Sequence, residues 1–208
     1  MTSYIEVESV YGTREVSLVT RHLTNRRLFI TGKIDSDLAN RILSEFLYLS
    51  ENDYEAVDIY INSPGGEVNA GLMIYDILQD ARMPINMICT GIAASMAAII
   101  LAGGQEGRRY IFPHSRVMIH EPLILGEIGG TASSIKNISE SMIETRDICN
   151  GILAKHTNKT VKEIDKSITL DNYLNAEEAV KFGICDEIVS GIFQLKNYIN
   201  RCDDESTN

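Results

Sequence analysis

The chain has 208 residues, of which 44% are hydrophobic and 23% charged, with a formal net charge of −10. That length can bury a sizeable core, and the composition is that of a globular protein. The acidic balance argues against a general nucleic-acid binder, which needs a basic patch, and against docking on an anionic membrane.

The first residues, "MTSYIEVESVYG", lack a basic region followed by an apolar core, so no signal peptide is read. "RLFITG" (27–32) reads as a strand. "SDLANRILSEFLYLSEN" follows as a helix with Ser36 at its N-cap. "VDIYIN" (57–62) is a strand, "SPGGEV" a turn and "NAGLMIYDILQDA" a helix. No charge occurs between Arg82 and Glu106, a stretch long enough to span a bilayer. It contains Pro84, Asn86, Gly91, Ser95 and Gln105, however. It also splits into a strand pattern, "INMICT", and a helix pattern, "AASMAAIILA". The expectation is a buried strand, a turn at Gly91 and a buried helix. "RRYIFP" and "RVMIH" are short strands, and 131–157 is a long helix. "TVKEIDKSI" and "NAEEAVKFG" are short helices, the second closed by Gly183, and "ICDEIVS" is a last strand. The tail, 196–208, ends in the acidic "CDDESTN" and is expected to be disordered. Alternating strands and helices imply an α/β fold with parallel strands joined by right-handed crossovers.

Four cysteines, Cys89, Cys149, Cys185 and Cys202, show no CxxC spacing, so no zinc or redox motif is read. Cys89 and Cys185 lie in apolar runs as small core residues. Free thiols point to a reducing compartment.

In an α/β fold, ligands gather where strands end and helices begin. Two such junctions stand out. In "INSPGGEV", Gly65 and Gly66 permit close backbone approach, and N–H groups at a helix start can hold an anion. In "TGIAASMAA", Ser95 sits near the start of a buried helix with the N–H of Met96 next to it. A serine needs a base. Of the four histidines, His120 ends a strand, His114 lies in a turn, and His22 and His156 read as surface residues. Asp171, in the loop before a short helix, could orient that base. Taken singly, each has an ordinary structural explanation: a plain turn, a core serine, a structural histidine, a capping aspartate.

In combination the stretches "YINSPGG", "AGLMIYDIL", "CTGIAASMAA", "PHSRVMIHEP", "LAKHTNKTVKEI" and "LDNYLNAEEAVKFGICDEIV" resemble the ClpP family of self-compartmentalising serine proteases. The resemblance covers residues 14–195, leaving 1–13 as an axial-loop-like segment. It implies a ClpP/crotonase-type α/β fold with a protruding handle over 123–157. It implies Ser95 as nucleophile, His120 as base, Asp171 as orienting acid, and the amides of Gly66 and Met96 as oxyanion hole. Extended substrate would lie along Gly65, Leu123 and Leu125. Tyr60 and Tyr110 would belong to a docking pocket for a AAA+ unfoldase of the ClpX, ClpA or ClpC type. Heptameric rings would close a chamber for unfolded polypeptides, in the cytoplasm, with no metal and no cofactor. No nucleotide motif GxxxxGK[ST] is present.

The chain also departs from that pattern. Leu170 stands where the family usually has an arginine that pairs across the ring–ring contact. Asp58 and Asp80 replace docking aromatics. These departures suggest a divergent paralogue, working in a mixed ring with a sister ClpP or with an unusual unfoldase. Two alternatives stay open: a poorly active structural subunit, and acyl-CoA chemistry of the crotonase type.

Overall fold

Runs of Ile, Val and Met build the centre of the sheet. In the computed structural model, which describes residues 3–10, 12–51, 55–124, 126, 129–192 and 194–195, they form β3 (Arg27–Ile34), β4 (Val57–Gly66) and β5 (Ile85–Ala94). These three pair in parallel. The main sheet runs β3-β4-β5-β6-β9, where β6 is Arg109–Ile111 and β9 is Glu187–Ile188. α2 (Ser36–Ser50), α3 (Val68–Gln79) and α4 (Met96–Ala102) make the connections between successive strands, as strand–helix alternation requires. Ahead of them lie a hairpin of β1 (Tyr4–Ser9) and β2 (Gly12–Ser17) and the short α1 (Leu18–Thr24). The segment boundary expected after residue 13 falls inside β2.

β5 changes partner along its length. Met87–Cys89 pairs with β6, whereas Ile92–Ala94 pairs with β7 (Arg116–Ile119). β7 in turn pairs antiparallel with β8 (Asn172–Leu174). The long helix expected at 131–157 is α5 (Ala132–Thr157), which buries Cys149, Asn150, Leu153 and Thr157 near its C-terminal end. α6 (Val161–Ile168) and α7 (Ala176–Phe182) start with capping boxes, Thr160 with Glu163 and Asn175 with Glu178. α7 stops at Gly183, whose φ of +96° suits glycine.

The apolar stretch around Ser95 is β5 followed by α4, and every residue of α4 is buried. Among the described residues no helix is long and apolar enough to cross a membrane. Several local expectations are corrected. "SPGG" is not a turn, because β4 continues through it and pairs Lys33 with Gly65 and Ile34 with Gly66. A Cβ on Gly66 would lie 2.0 Å from the Ile34 carbonyl oxygen, so only glycine allows that pairing. β5 likewise runs on through Gly91. There the absence of a Cβ admits the Asn62 side chain, which accepts from the Ile92 N–H at 3.2 Å. The N-cap of α2 is Asp35 rather than Ser36, its carboxylate accepting from the Leu38 N–H at 2.9 Å. The last strand shrinks to the two residues of β9. His22 and His156 are half-buried rather than on the surface. The tail at 196–208 lies outside the described residues.

Arg109 ties the helix ends together. Its Nη1 donates to the carbonyls of Ala102, His156 and Gly183, at the C-terminal ends of α4, α5 and α7. Its Nε and Nη2 hold both oxygens of Asp186. Arg109 is 6% exposed, so removing one partner strands the other charge. Arg109→Met should destabilise the fold by about 3–5 kcal/mol, and Arg109→Met with Asp186→Leu by less, measured by denaturant unfolding.

His156 shares a 2.9 Å hydrogen bond with the Tyr75 hydroxyl. Burial, then Lys155 and Arg109, pull its pKa below the ordinary value. The unfolded chain therefore binds this proton more tightly than the fold does. The His156 contribution is fully present above about pH 6.5 and is lost as pH falls below it toward the folded-state value. Unfolding free energies at pH 7.5 and 5.5 should differ more in the native chain than in His156→Phe.

Candidate active site

β5 ends by placing Ser95 between the sheet and α4. The Ser95 N–H donates to the Met118 carbonyl at 2.8 Å, which fastens the junction to β7. Ser95 has φ +54° and ψ −122°, a conformation that costs a non-glycine residue on the order of 1–3 kcal/mol. Strand, strained serine, helix is the architecture of a nucleophile elbow, although the G-x-S-x-G signature is absent. Ala93 and Ala97 occupy the two flanking positions and are fully buried. Room comes instead from β4. A Cβ on Gly65 would lie 2.7 Å from the Ser95 Cβ and 2.5 Å from the Ala94 carbonyl oxygen.

The same sheet brings up the other two side chains. His120 follows β7, and its Nε2 is 2.8 Å from Ser95 Oγ. β8 pairs Asn172 with Ile119, so in an antiparallel ladder the next position matches Asp171 with His120. Asp171 Oδ1 lies 3.4 Å from His120 Nδ1, with the His120 side chain 14% exposed and that of Asp171 60%. That separation is longer than a well-formed N–H···O bond. A further backbone bond, Glu121 N–H to the Ile168 carbonyl at 3.1 Å, holds the end of β7 to the end of α6.

Donors for a developing negative charge stand nearby. Met96 is the first residue of α4, where an N–H has no partner within its own helix. The Gly65 N–H is already committed to Ser63 Oγ at 3.0 Å, and that buried hydroxyl donates to the Gly32 carbonyl. Gly66, next along β4, is exposed. Ser63 escaped sequence reading because nothing in "NSPGG" distinguishes it from an ordinary turn serine.

Leu123 is 54% exposed. With Val68, Pro122 and Ile124 it lines a groove of about 280 Å³ against Ile138 and Met142 of α5. Leu125 lies outside the described residues. Tyr60 is half-buried and stacks on Phe29, ring centroids 5.5 Å apart, while Tyr110 is buried with Ile88, Val189 and Leu195. The Asp58 carboxylate accepts from Asn86 Nδ2 at 2.9 Å. Asp80 ends α3 and lines a groove with Leu43, Phe46, Leu47 and Ile77. Among the described residues no group of three or more His, Cys, Asp or Glu could hold a metal ion. Cys89, Cys149 and Cys185 are free and buried. Burial pushes the thiols of Cys89 and Cys149 up to about 11 and that of Cys185 well above its ordinary value. They stay protonated at neutral pH and are poor nucleophiles.

The family model described as Clp protease matches residues 11–191. The chain belongs to the Clp protease family. It is a ClpP-like peptidase, and its mixed α/β fold with a parallel-strand sheet is the ClpP fold. The match runs from the β1–β2 turn to just past β9. Within this Clp protease, the junction has no room for a side chain at position 65 opposite Ser95. Gly65→Ala should lower kcat/KM for peptide hydrolysis by about 100-fold, the scale expected when reacting groups shift by an ångström. Gly66→Ala would instead strike Ile34 and should lower the unfolding midpoint more than Gly65→Ala does.

Proposed function

We propose that the chain is a serine endopeptidase subunit in which Ser95 attacks the scissile carbonyl, His120 moves the proton and Asp171 orients His120. The observation that carries this reading is the 2.8 Å contact between His120 Nε2 and Ser95 Oγ. His120 Nε2 takes the Oγ proton as Oγ bonds to the carbonyl carbon. The amides of Gly66 and Met96 hold the resulting oxyanion, a contribution worth about 100- to 1000-fold per donor at comparable sites. His120 then gives the proton to the leaving amine as the C–N bond breaks. The acyl-enzyme on Ser95 is cleared by water.

Ring assembly and a Clp ATPase partner accompany membership of the family. On this reading heptameric rings enclose the site, and a AAA+ unfoldase feeds unfolded polypeptide to it in the cytoplasm. Leu123 and Gly65 border the path of an extended substrate that adds as a strand. Tyr60 and the buried Tyr110 form the apolar floor under the unfoldase contact. Asp80 and Arg82 both line the groove formed with Leu43, Phe46, Leu47 and Ile77, and these charges would re-specify what docks there, since burying a charge is costly without a partner.

A second reading has a specific observation behind it. Asp171 is 60% exposed and sits 3.4 Å from His120, and its neighbour Leu170 is 81% exposed. The isolated subunit would then be weakly active until a second ring or a sister ClpP covers this edge. Leu170 cannot form the ion pair usual in the family, so ring pairing rests on apolar contact, which excluded salts such as sulfate strengthen.

Ser95→Ala should abolish peptide hydrolysis with the fold unchanged by circular dichroism. His120→Ala should lose nearly as much, and the double variant little more, because the pair acts as a unit. Strictly additive losses would count against the pairing. Analytical ultracentrifugation with a matched peptidase assay should show sulfate shifting single rings toward double rings, with activity rising in parallel. A stable double ring at low salt, indifferent to sulfate, contradicts the apolar ring contact.

A further inference from the structure

β4 reaches the site through "NSPGG", and one interior hydroxyl governs how it arrives. Ser63 is 0% exposed. Its Oγ donates to the Gly32 carbonyl at 2.6 Å and accepts from the Gly65 N–H at 3.0 Å. Both partners lie where the sheet is irregular. The β3–β4 register steps from Thr31 with Asn62 to Lys33 with Gly65, so Gly32 has no paired residue in β4. Gly65 has φ +87°, and Pro64 before it has a fixed φ and no N–H to give. The Ser63 hydroxyl reaches over Pro64 and joins the two irregular points.

The direction of the next amide follows from this. On the β3 side, Ser63 holds the Gly65 N–H, and the Ile34 carbonyl accepts from the Glu67 N–H at 2.8 Å. The Gly66 N–H between them is turned to the other edge of β4, as the alternation of a parallel ladder requires. At that edge, pairing with β5 has already ended at Ser63 and Ala93. Gly66 is exposed there, whereas Gly65 is buried. Ser95 and α4 stand close by: a Cβ on Gly65 would lie 2.7 Å from the Ser95 Cβ and 3.1 Å from the Met96 nitrogen. Two successive glycines leave the backbone free to rotate, so the hydroxyl supplies a restraint that their missing side chains do not.

We propose that Ser63 is a positioning residue that aims the Gly66 amide at the developing oxyanion. The proposal rests on the peptidase reading above and adds to it a residue that touches neither substrate nor reacting atoms. A donor lowers the barrier when it is already directed at the charge that develops. A Gly66 amide free to swing therefore weakens transition-state binding and leaves ground-state binding as it was.

The test compares Ser63→Ala with Thr157→Val in the assembled full-length protein. Thr157 is also buried, and its hydroxyl donates to the Leu153 carbonyl within α5. Ser63→Ala should lower kcat for a fluorogenic peptide by about 10- to 100-fold, less than the loss of a whole donor, with KM within about twofold of native. The affinity of a peptide boronic acid, which mimics the tetrahedral state, should fall by the same factor. The pH midpoint of kcat should not move, because His120 keeps its contact with Ser95. Thr157→Val should lower the unfolding midpoint and change none of these quantities. Native kcat and boronate affinity in Ser63→Ala overturn the proposal, as does a loss carried wholly by KM, a shifted pH midpoint, or the same loss in Thr157→Val. Should Ser63→Ala not fold, Ser63→Cys, whose thiol is a weaker donor and acceptor, is read in the same way. If the native chain neither cleaves peptide nor is labelled at Ser95 by a fluorophosphonate, the peptidase reading itself fails, and this assignment with it.

Discussion

β5 hydrogen-bonds to β6 through Met87–Cys89 and to β7 through Ile92–Ala94, and the candidate site depends on that change of partner. The fork is stapled where it opens. The Cys89 carbonyl accepts from the Phe112 N–H at 3.0 Å and from the buried Ser115 hydroxyl at 3.2 Å. β7 is thereby laid alongside the last residues of β5, and His120 reaches Ser95 across one strand spacing. The antiparallel pairing of β8 then brings Asp171 to the same edge. Three side chains far apart in sequence meet because two ladders fix their register. A slip of one residue in either would turn the side chains to the opposite face.

Within that frame, stability and reactivity pull against each other. Ser95 is held at a positive φ between a strand and a helix that are both deeply buried. The surroundings impose the conformation: the Met118 carbonyl holds its N–H, and glycine at position 65 clears the space opposite. Strain of this kind persists where packing overdetermines it. Asp171, by contrast, stands at an exposed edge with the looser contact. The serine–histidine half of the site is built by the core of one chain, and the aspartate half is left to the rim.

The central α/β alternation was legible because β-branched and other apolar residues cluster in the strands, while apolar residues recur at helical spacing in α2 and α3. The nucleophile candidate was legible as a lone hydroxyl in a run of small residues. What escaped was set by tertiary pairing. β8 is three residues long, too short for any periodicity, yet it carries the register that positions Asp171. "SPGG" and Gly91 read locally as turns, because glycine normally breaks strands. Here the glycines let neighbouring backbone and side-chain atoms approach, so both strands continue. Ser36 looked like a cap, but Asp35 takes the role one residue earlier. His156 carried no sequence sign that Tyr75 and Arg109 would enclose it. The 2.8 Å contact between His120 and Ser95, on which the proposed chemistry rests, follows from the β5–β7 register and has no local signature.

The most direct measurement is a crystal structure of the protein treated with a peptide boronic acid. Boron should be tetrahedral and bonded to Ser95 Oγ, with one of its oxygens within hydrogen-bond reach of the Gly66 and Met96 amides and His120 Nε2 still facing Oγ. Boron attached elsewhere, or an adduct on Ser95 whose oxygens avoid both amides, would contradict the proposed chemistry.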